Sequence, residues 1–492
     1  MMDNDDRHIP AWVLPAVFAV LALQLYILPH APTEAMEIHE AITGALRAGN
    51  NWGRQALVGN TDYPALQSLC LLVCEAIATP VRLSGARLMC ALAQAWMLIY
   101  FIRLLLQTKR HYFVVFPLVI FMVIPFIRAD VIWLDPNWIA AVPASAIVYH
   151  LVLWRESKNL RSLIVASAAC GILCLCGLAG LLVGCSTALF LYFIARHDLA
   201  EQGKSCAGMR TLLWSTALYC IAIWLLWNWL VMDDILFGLR DLFARLSTLT
   251  RNGLSREFFA LSPVTLSLVA FLFPLLILCM KSDNSAIAKC LIAQTVLLVL
   301  TSAFCRSLQI PATGVLPLAT VVIIATFALV RVTSFKHPVS AQACMIAMIL
   351  CFFVTFRAES LTKQPIALDN AGSYLPPREE ITDYIDQFWP KSRTMLYGLK
   401  LPAAYPDPLE KRFVARLDFQ QDDLLKQETD EQLHILIPPP DGKYYPKDNS
   451  PMADIYANGR DWLILEKQWP SGCQLWRVVP PPENESKLKF LQ

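Results

Sequence analysis

Residues 212–232 read LLWSTALYCIAIWLLWNWLVM, an apolar run that contains no charged side chain. A helix of this length can cross the hydrocarbon core of a bilayer, which needs about 20 apolar residues. The whole chain has the same character, because 56% of its 492 residues are hydrophobic and only 16% are charged. An ordinary soluble domain is less apolar and more charged. The sequence therefore predicts a multi-pass, α-helical membrane protein.

Further apolar runs of similar character bring the expected number of transmembrane helices to about eleven. They are residues 11–28, 87–106, 112–127, 138–154, 163–178, 181–195, 261–280, 290–305, 315–330 and 339–356. The first run has the position of a signal peptide, but the small-residue pattern near Ala31 is followed by Pro32. We therefore interpret it as a retained first helix.

Basic residues in the connecting loops predict the orientation of these helices, since cytoplasmic loops carry an excess of Lys and Arg. If the N-terminus is inside and residues 64–81 lie in the outer interface without crossing, every inside loop is basic. These loops carry Lys109, Arg110, Arg155, Lys158, Arg161, Arg196, Lys204, Arg210, Lys281, Lys289, Arg331 and Lys336. We therefore predict a transmembrane domain at residues 1–357 of a bacterial inner membrane, with outer loops at 30–86 and 233–260.

The remaining residues, 358–492, are polar and rich in Pro. Strand-like runs at 395–399, 433–437, 462–465 and 475–479 are separated by turn signals, and a helical pattern covers 413–426. We predict a small α/β domain on the periplasmic side, the far side from a cytoplasmic N-terminus.

The first outer loop contains an amphipathic helix at residues 34–48. Thr33 is a favourable N-cap, and Glu34 and Glu37 lie in the first turn, where the helix dipole favours acidic side chains. Ile38 and Ile42 share one side, which suits a helix lying on the membrane. By themselves, these acidic residues also fit an ordinary solvated face.

This loop resembles the first outer loop of the GT-C-fold glycosyltransferases that use polyprenyl-phosphate sugars, a group that includes protein mannosyltransferases and lipid A aminoarabinose transferases. The resemblance rests on the order of Glu34, Gly49 and Trp52, followed by a segment at 59–66 that contains Tyr63 and Pro64. It continues, less closely, through Arg87-Leu88, Arg128-Ala-Asp130, Leu134-Asp135-Pro136, Arg306 and Leu316-Pro317. In all, it covers about the first 330 residues.

The resemblance implies a transferase that moves a sugar from a polyprenyl-phosphate donor to a lipid, glycan or protein acceptor of the cell envelope. Such transfer needs a carboxylate to accept a proton and cations to stabilise the departing phosphate. Glu34 takes the position of the family's essential aspartate and is the candidate base, with Asp135 as a second catalytic candidate. The substrate-binding candidates are Arg54, Tyr63, Arg128, Asp130 and Arg306.

Alternatives stay open for several of these residues. Asp135 before Pro136 is also a good helix N-cap with Pro at the first position, and each Arg also fits snorkelling at the interface. The sequence departs from the family pattern at Glu34, where Asp is usual, and at Tyr63, where Lys is common. A non-catalytic assembly subunit and a transporter of lipid-linked or small polar substrates are the alternative functions.

Composition excludes other classes of protein. The net charge of +2 and the scattered basic residues argue against nucleic acid as a partner. Most of the 15 cysteines lie in apolar stretches, where they act as small hydrophobic residues. No organic cofactor is expected; His30 and His39 fit ordinary loop residues, and dependence on a divalent metal stays open.

Overall fold

The structure, a computed structural model, describes residues 30–106, 132–157, 159–200, 207–240, 285–307, 375–419, 433–440 and 451–479, together with isolated positions elsewhere. Two compact units can be distinguished. The first comprises Met1–Met36 and Val58–Lys363, and the second comprises Glu37–Leu57 and Gln364–Gln492. The division falls inside helix 34–47, so part of the predicted first outer loop belongs to the same unit as the C-terminal residues.

Helices dominate the first unit. In chain order the elements that begin in it or belong to it are β1 (His30–Pro32), α1 (Glu34–Arg47), α3 (Ala65–Ala78), α4 (Gly85–Leu106), β2 (Ile132–Leu134), α5 (Ala141–Ser157), α6 (Leu160–Cys174), α7 (Gly177–Ala200), α8 (Ala207–Met232) and α9 (Ser285–Ser307). Helix α2 (Asn51–Val58) lies almost wholly in the second unit. Short 3-10 helices cover Thr79–Val81 and Pro136–Ala140.

Three stretches among the described residues are long and apolar enough to cross a membrane: Gly85–Leu104, Pro136–Trp154 and Thr211–Met232. The last has few buried side chains, and Leu218 and Leu230 are 58% and 65% exposed. A helix with apolar side chains on its open faces is stable when lipid surrounds it. The described residues therefore agree with a membrane protein, and the expected eleven crossings stay a prediction.

Several predicted crossings cannot be compared, because residues 112–127 and 339–356 lie outside the described residues, as do most of 11–28, 261–280 and 315–330. The predicted runs 163–178 and 181–195 correspond to α6 and α7. A short turn at residues 175–176 separates these helices, and Gly177, the first residue of α7, has φ 90°.

Hydroxyl groups connect the helices of the first unit. Between α6 and α8, Ser167 Oγ lies 2.8 Å from Thr216 Oγ1, and Thr216 also donates to the Ser167 carbonyl oxygen at 2.7 Å. Between α7 and α9, Gln294 Nε2 donates to Thr187 Oγ1 at 3.0 Å. Small and hydroxyl-bearing residues of this kind are typical contacts between membrane helices.

The second unit contains a five-stranded sheet in the order β4-β3-β5-β7-β6. Its C-terminal elements are α10 (Arg378–Phe388), β3 (Arg393–Tyr397), α11 (Lys400–Ala404), β4 (Phe413–Arg416), β5 (Leu433–Ile437), α12 (Pro451–Asn458), β6 (Leu463–Gln468) and β7 (Gln474–Val478). Strand β3 pairs in parallel with both β4 and β5, whereas β7 pairs antiparallel with β5 and β6. The core on one side includes Ile435, Ile455 and Leu463.

The predicted strands of this domain are present within a residue or two of their expected positions. The predicted helix at 413–426 is wrong at its start, because Phe413–Arg416 forms strand β4. Phe413 and Val414 are both buried beside β3, and this pairing between distant segments outweighs the helical pattern of the local sequence. Residues 420–426 lie outside the described residues.

Helix α1 forms where the sequence predicts it, but its apolar side has a different environment from the expected one. Ile38 and Ile42 are fully buried, and Ala45 is 3% exposed. Since these side chains are covered by protein, this face is not available to lie on the membrane.

Candidate functional site

The two predicted catalytic acids follow two short strands that pair in parallel. Strand β1 pairs with β2 in a register that places Pro32 opposite Leu134. Glu34 comes two residues after Pro32, and Asp135 directly follows Leu134. Because neighbouring strands lie about 4.8 Å apart and parallel strands end at the same edge, the pairing brings both acids to one end of the strand pair.

Thr33 fixes the start of helix α1 at this point. Its hydroxyl donates to the Leu134 carbonyl oxygen at 2.9 Å, and its backbone N–H donates to the same oxygen at 3.1 Å. The hydroxyl oxygen also accepts the Met36 N–H at 3.3 Å. Thr33 is therefore the predicted N-cap and, in addition, joins the start of α1 to the end of β2.

Glu34 is the first residue of α1 and is half-buried. Its backbone lies next to the Thr33 cap, so its position depends on hydrogen bonds to β2. A general base must lie within hydrogen-bonding reach of the proton that it accepts, so the catalytic role of Glu34 stays a prediction.

Asp135 has a structural role that the sequence left as one of two alternatives. Its side chain is 6% exposed and accepts the Asn137 N–H at 2.9 Å, so it caps the 3-10 helix Pro136–Ala140. Its carbonyl oxygen accepts the Cys90 thiol at 3.5 Å, which connects it to α4. The N-cap interpretation is confirmed, and a direct catalytic role for Asp135 stays a prediction.

An apolar cluster lies beneath these residues. It is formed by Met36, Leu71, Cys74, Ala86, Met89, Cys90 and Leu134, which come from α1, α3, α4 and β2. The start of α1 is thus held by hydrogen bonds on one side and by packing on the other. Rigid support of this kind fixes a functional side chain more accurately than a loop does.

The segment before α3 contains Tyr63, at the position where the resembling family often has Lys. Tyr63 is 3% exposed, and its N–H donates to Asn60 Oδ1 at 2.6 Å. Asp62 lies within electrostatic range of Cys305 in α9. The segment is therefore close to the end of α9 that carries Arg306.

The remaining candidates are placed differently. Arg306 is the second-last residue of α9. Arg54 is an exposed residue of α2, which lies in the second unit, and Arg128 and Asp130 lie outside the described residues. The described part of the first unit therefore brings Glu34 and Asp135 to one end of the strand pair, and Tyr63 lies in the segment before α3.

Metal binding is not supported by a ligand cluster within the described ranges, since these contain no group of three or more His, Cys, Asp or Glu side chains able to hold an ion. Metal dependence therefore stays open.

Two contacts were not predictable from the sequence: the Thr33–Leu134 connection and a hydrogen bond from the Trp52 indole to the Gly398 carbonyl oxygen. Each joins residues far apart in the chain, and local periodicity carries no signal for such pairs.

Neither the protein-family models nor the curated proteins contain a match to the chain. Among solved structures, it is similar to ArnT from Cupriavidus metallidurans bound to undecaprenyl phosphate, with a TM-score of 0.49, 13% identity and coverage of 96% of this chain and 99% of that one. The apo state of the same protein gives a TM-score of 0.48, 13% identity and coverage of 96% and 98%.

Proposed function

We propose that the chain is an inverting membrane glycosyltransferase that moves a sugar from a polyprenyl-phosphate carrier to a hydroxyl group of a lipid, glycan or protein at the outer face of the membrane. The observation that supports this most directly is the position of Glu34. The carboxylate begins α1, and the Thr33 cap ties that helix start to the strand before Asp135. The order of family-like motifs along the sequence provides the second support.

In this reaction Glu34 accepts the proton of the attacking hydroxyl, which increases the nucleophilicity of its oxygen. The hydroxyl oxygen forms a new bond to the anomeric carbon of the sugar while the bond to the carrier phosphate breaks. Asp135 supports this geometry through its cap, which holds the residues that follow β2.

The departing phosphate needs positive charge, and Arg residues are suited to this because a guanidinium can bind a phosphate through two hydrogen bonds. Arg306 is the first candidate, because its helix ends near the segment that contains Asp62 and Tyr63. Arg128, Arg54 and Asp130 complete the proposed binding set. In this proposal the carrier enters from the lipid, and the C-terminal domain lies on the same side as the acceptor.

The test is transfer by the purified full chain in lipid nanodiscs, with polyprenyl-phosphate sugars as donors and envelope lipids and glycans as acceptors. Glu34→Gln preserves the shape of the side chain but removes the base, so we expect transfer to fall by about a hundredfold to ten-thousandfold. Glu40→Gln is the matched control, because it makes the same change farther along the same helix. It should leave transfer close to the wild-type rate.

Two results would contradict the proposal. Absence of transfer by the wild-type chain with every donor would favour the assembly-subunit or transporter alternatives. Normal transfer by Glu34→Gln, with normal expression and membrane insertion, would show that Glu34 is not the base.

A further inference from the structure

Helices α1 and α2 form a closely packed pair. Gly49 has φ 77°, its N–H donates to the Leu46 carbonyl at 3.1 Å, and the Asn50 N–H donates to the Ala45 carbonyl at 2.9 Å. These two bonds are the Schellman arrangement that ends a helix at a left-handed glycine. The turn between the helices is therefore closed by defined hydrogen bonds.

The second helix begins at once and packs against the first. Asn50 Oδ1 accepts the Trp52 N–H at 2.8 Å and so caps α2. A Cβ added to Gly53 would lie 2.8 Å from the Leu46 nitrogen and 2.9 Å from the Ala45 Cβ, so the backbones approach as closely as glycine allows. Because of this contact, the two helices pack directly against each other at Gly53.

Trp52 attaches this pair to the C-terminal domain within the second unit. Its side chain is 2% exposed, and Nε1 donates to the Gly398 carbonyl oxygen at 3.1 Å. A Cβ on Gly44 would lie 3.6 Å from Pro408 Cγ, so α1 also approaches the domain directly.

A cavity of about 20 Å³ lies between the helix pair and the domain, and its lining includes Ala41, Ala45, Trp52, Leu396, Tyr405 and Phe413. This is little more than the space of one water molecule.

The hydrogen bond between Trp52 and Gly398 lies at the carboxyl end of strand β3. Gly398 directly follows β3, which lies between the parallel strands β4 and β5. Open α/β sheets generally bind their ligands at the carboxyl ends of the strands, near the point where the strand order reverses. In this domain the Trp52 side chain, which comes from an outer loop of the same chain, contacts that end of β3.

We propose that the C-terminal domain positions the catalytic helix, and that Trp52 is the positioning residue through which it does so. Glu34 is the first residue of the same continuous helix that packs against Gly53 and lies close to Pro408. Fixing the far end of α1 restricts the tilt and translation of its first residue. The inference rests on the proposed function, because the position of Glu34 matters only if Glu34 is the base.

The test combines two variants of the full-length protein with matched controls. Trp52→Phe keeps an aromatic ring but removes the indole donor. Gly44→Leu introduces a strong helix former, so it does not weaken the helix, but it places bulk against Pro408. Trp476→Phe is the control for the first, because it removes another buried indole donor of the same unit, bonded to Gln474 Oε1 at 2.9 Å. Gly44→Ala is the control for the second, since its Cβ makes an ordinary contact with Pro408.

Two measurements are made on each variant in nanodiscs. Hydrogen exchange of the α1 and α2 amides reports docking, and we expect it to accelerate about fivefold in Trp52→Phe, as loss of one net hydrogen bond implies. Transfer kinetics report positioning, and we expect kcat to fall at least about tenfold while KM for the donor stays within about twofold, because small displacements of a catalytic group reduce rate sharply. Both controls should leave both quantities near wild type.

The outcomes are distinguishable. Unchanged exchange in Trp52→Phe and Gly44→Leu would overturn the docking role, and faster exchange with unchanged kcat would overturn the positioning role. A fall in kcat that the controls share equally would overturn it too. If the wild-type chain transfers no sugar, the proposed function and the positioning role both fail, while the exchange data still decide whether Trp52 docks the loop.

Discussion

The two ends of helix α1 are held in different ways. At its first turn, Thr33 makes three hydrogen bonds, two of them to the carbonyl oxygen of Leu134. Beyond its last turn, a glycine-ended turn leads to α2, and the indole of Trp52 contacts the C-terminal domain. One end therefore depends on bonds to the backbone of another loop, and the other depends on one buried side chain.

The two ends of α1 should therefore respond differently to a change in conditions. Backbone bonds at the first turn allow little adjustment, which suits the end that carries the candidate base. The connection at the other end depends on the folded state of a separate domain, so conditions that weaken the domain should loosen that end selectively.

Acid should release the domain end of the helix and leave the first turn unchanged. His434 is fully buried on β5, its Nδ1 lies 2.5 Å from Ser392 Oγ, and it pairs in register with Thr394 of β3. Burial, together with the nearby positive Arg477, lowers the pKa of His434 to about 4, although Glu466 opposes the shift. The neutral ring is therefore the form that the fold accommodates.

Proton binding by His434 determines how the stability of the C-terminal domain changes with pH. Below about pH 6.5 the unfolded chain protonates this histidine while the folded domain does not, so stability is complete above that pH and falls as the pH decreases towards 4. The loss amounts to about 3 kcal/mol by pH 4. Urea unfolding of the full chain, followed by hydrogen exchange in β3 and β5 and corrected for the intrinsic effect of pH, measures it.

The control is His434→Gln, which keeps a polar partner for Ser392 but does not titrate between pH 4 and 7. It should be less stable at pH 7 and should lose the part of the pH dependence that His434 contributes. An identical pH dependence in wild type and variant would show that His434 does not cause the loss.

A smaller effect is expected at the other end of α1. Thr33→Val retains the branched shape but removes the cap and the hydroxyl bond to Leu134, at a cost of about 1–2 kcal/mol. Hydrogen exchange should accelerate in the first turn of α1, with little change in α2 and in the C-terminal strands. Thr33→Ser keeps the hydroxyl and should exchange like wild type; equal effects of Val and Ser would show that the hydroxyl is not the connection.

Local sequence signals predicted one kind of feature well. The cap at Thr33, the extent of α1, the cap at Asp135 and the strands near 433–437 all follow from residue preferences and periodicity within a few positions. These features are determined by neighbours in the chain. The likeness to a glycosyltransferase loop was equally local, since it depended on the order of short motifs.

Contacts between distant segments were not predictable in the same way. Thr33 and Leu134 are 101 residues apart, and Trp52 and Gly398 are 346 residues apart. The amphipathic face of α1 indicated correctly that one side is covered, but periodicity does not distinguish a covering of lipid from one of protein. The same limit explains the error at Phe413, where pairing with β3 decides the structure.

The smallest expected effect concerns Asp135 and separates its two roles. Asn caps helices about as well as Asp, so Asp135→Asn should preserve the bond to the Asn137 N–H and change stability by only a few tenths of a kcal/mol, whereas Asp135→Ala should cost about 1 kcal/mol. Because the observed bond needs an acceptor oxygen and no negative charge, we expect transfer by Asp135→Asn to stay within about twofold of wild type. Thermal unfolding and transfer kinetics on the three proteins measure both quantities. A hundredfold loss of transfer in Asp135→Asn with unchanged stability would instead show that the charge of Asp135 takes part in the reaction, and the end of the β1–β2 pair would then carry two catalytic acids.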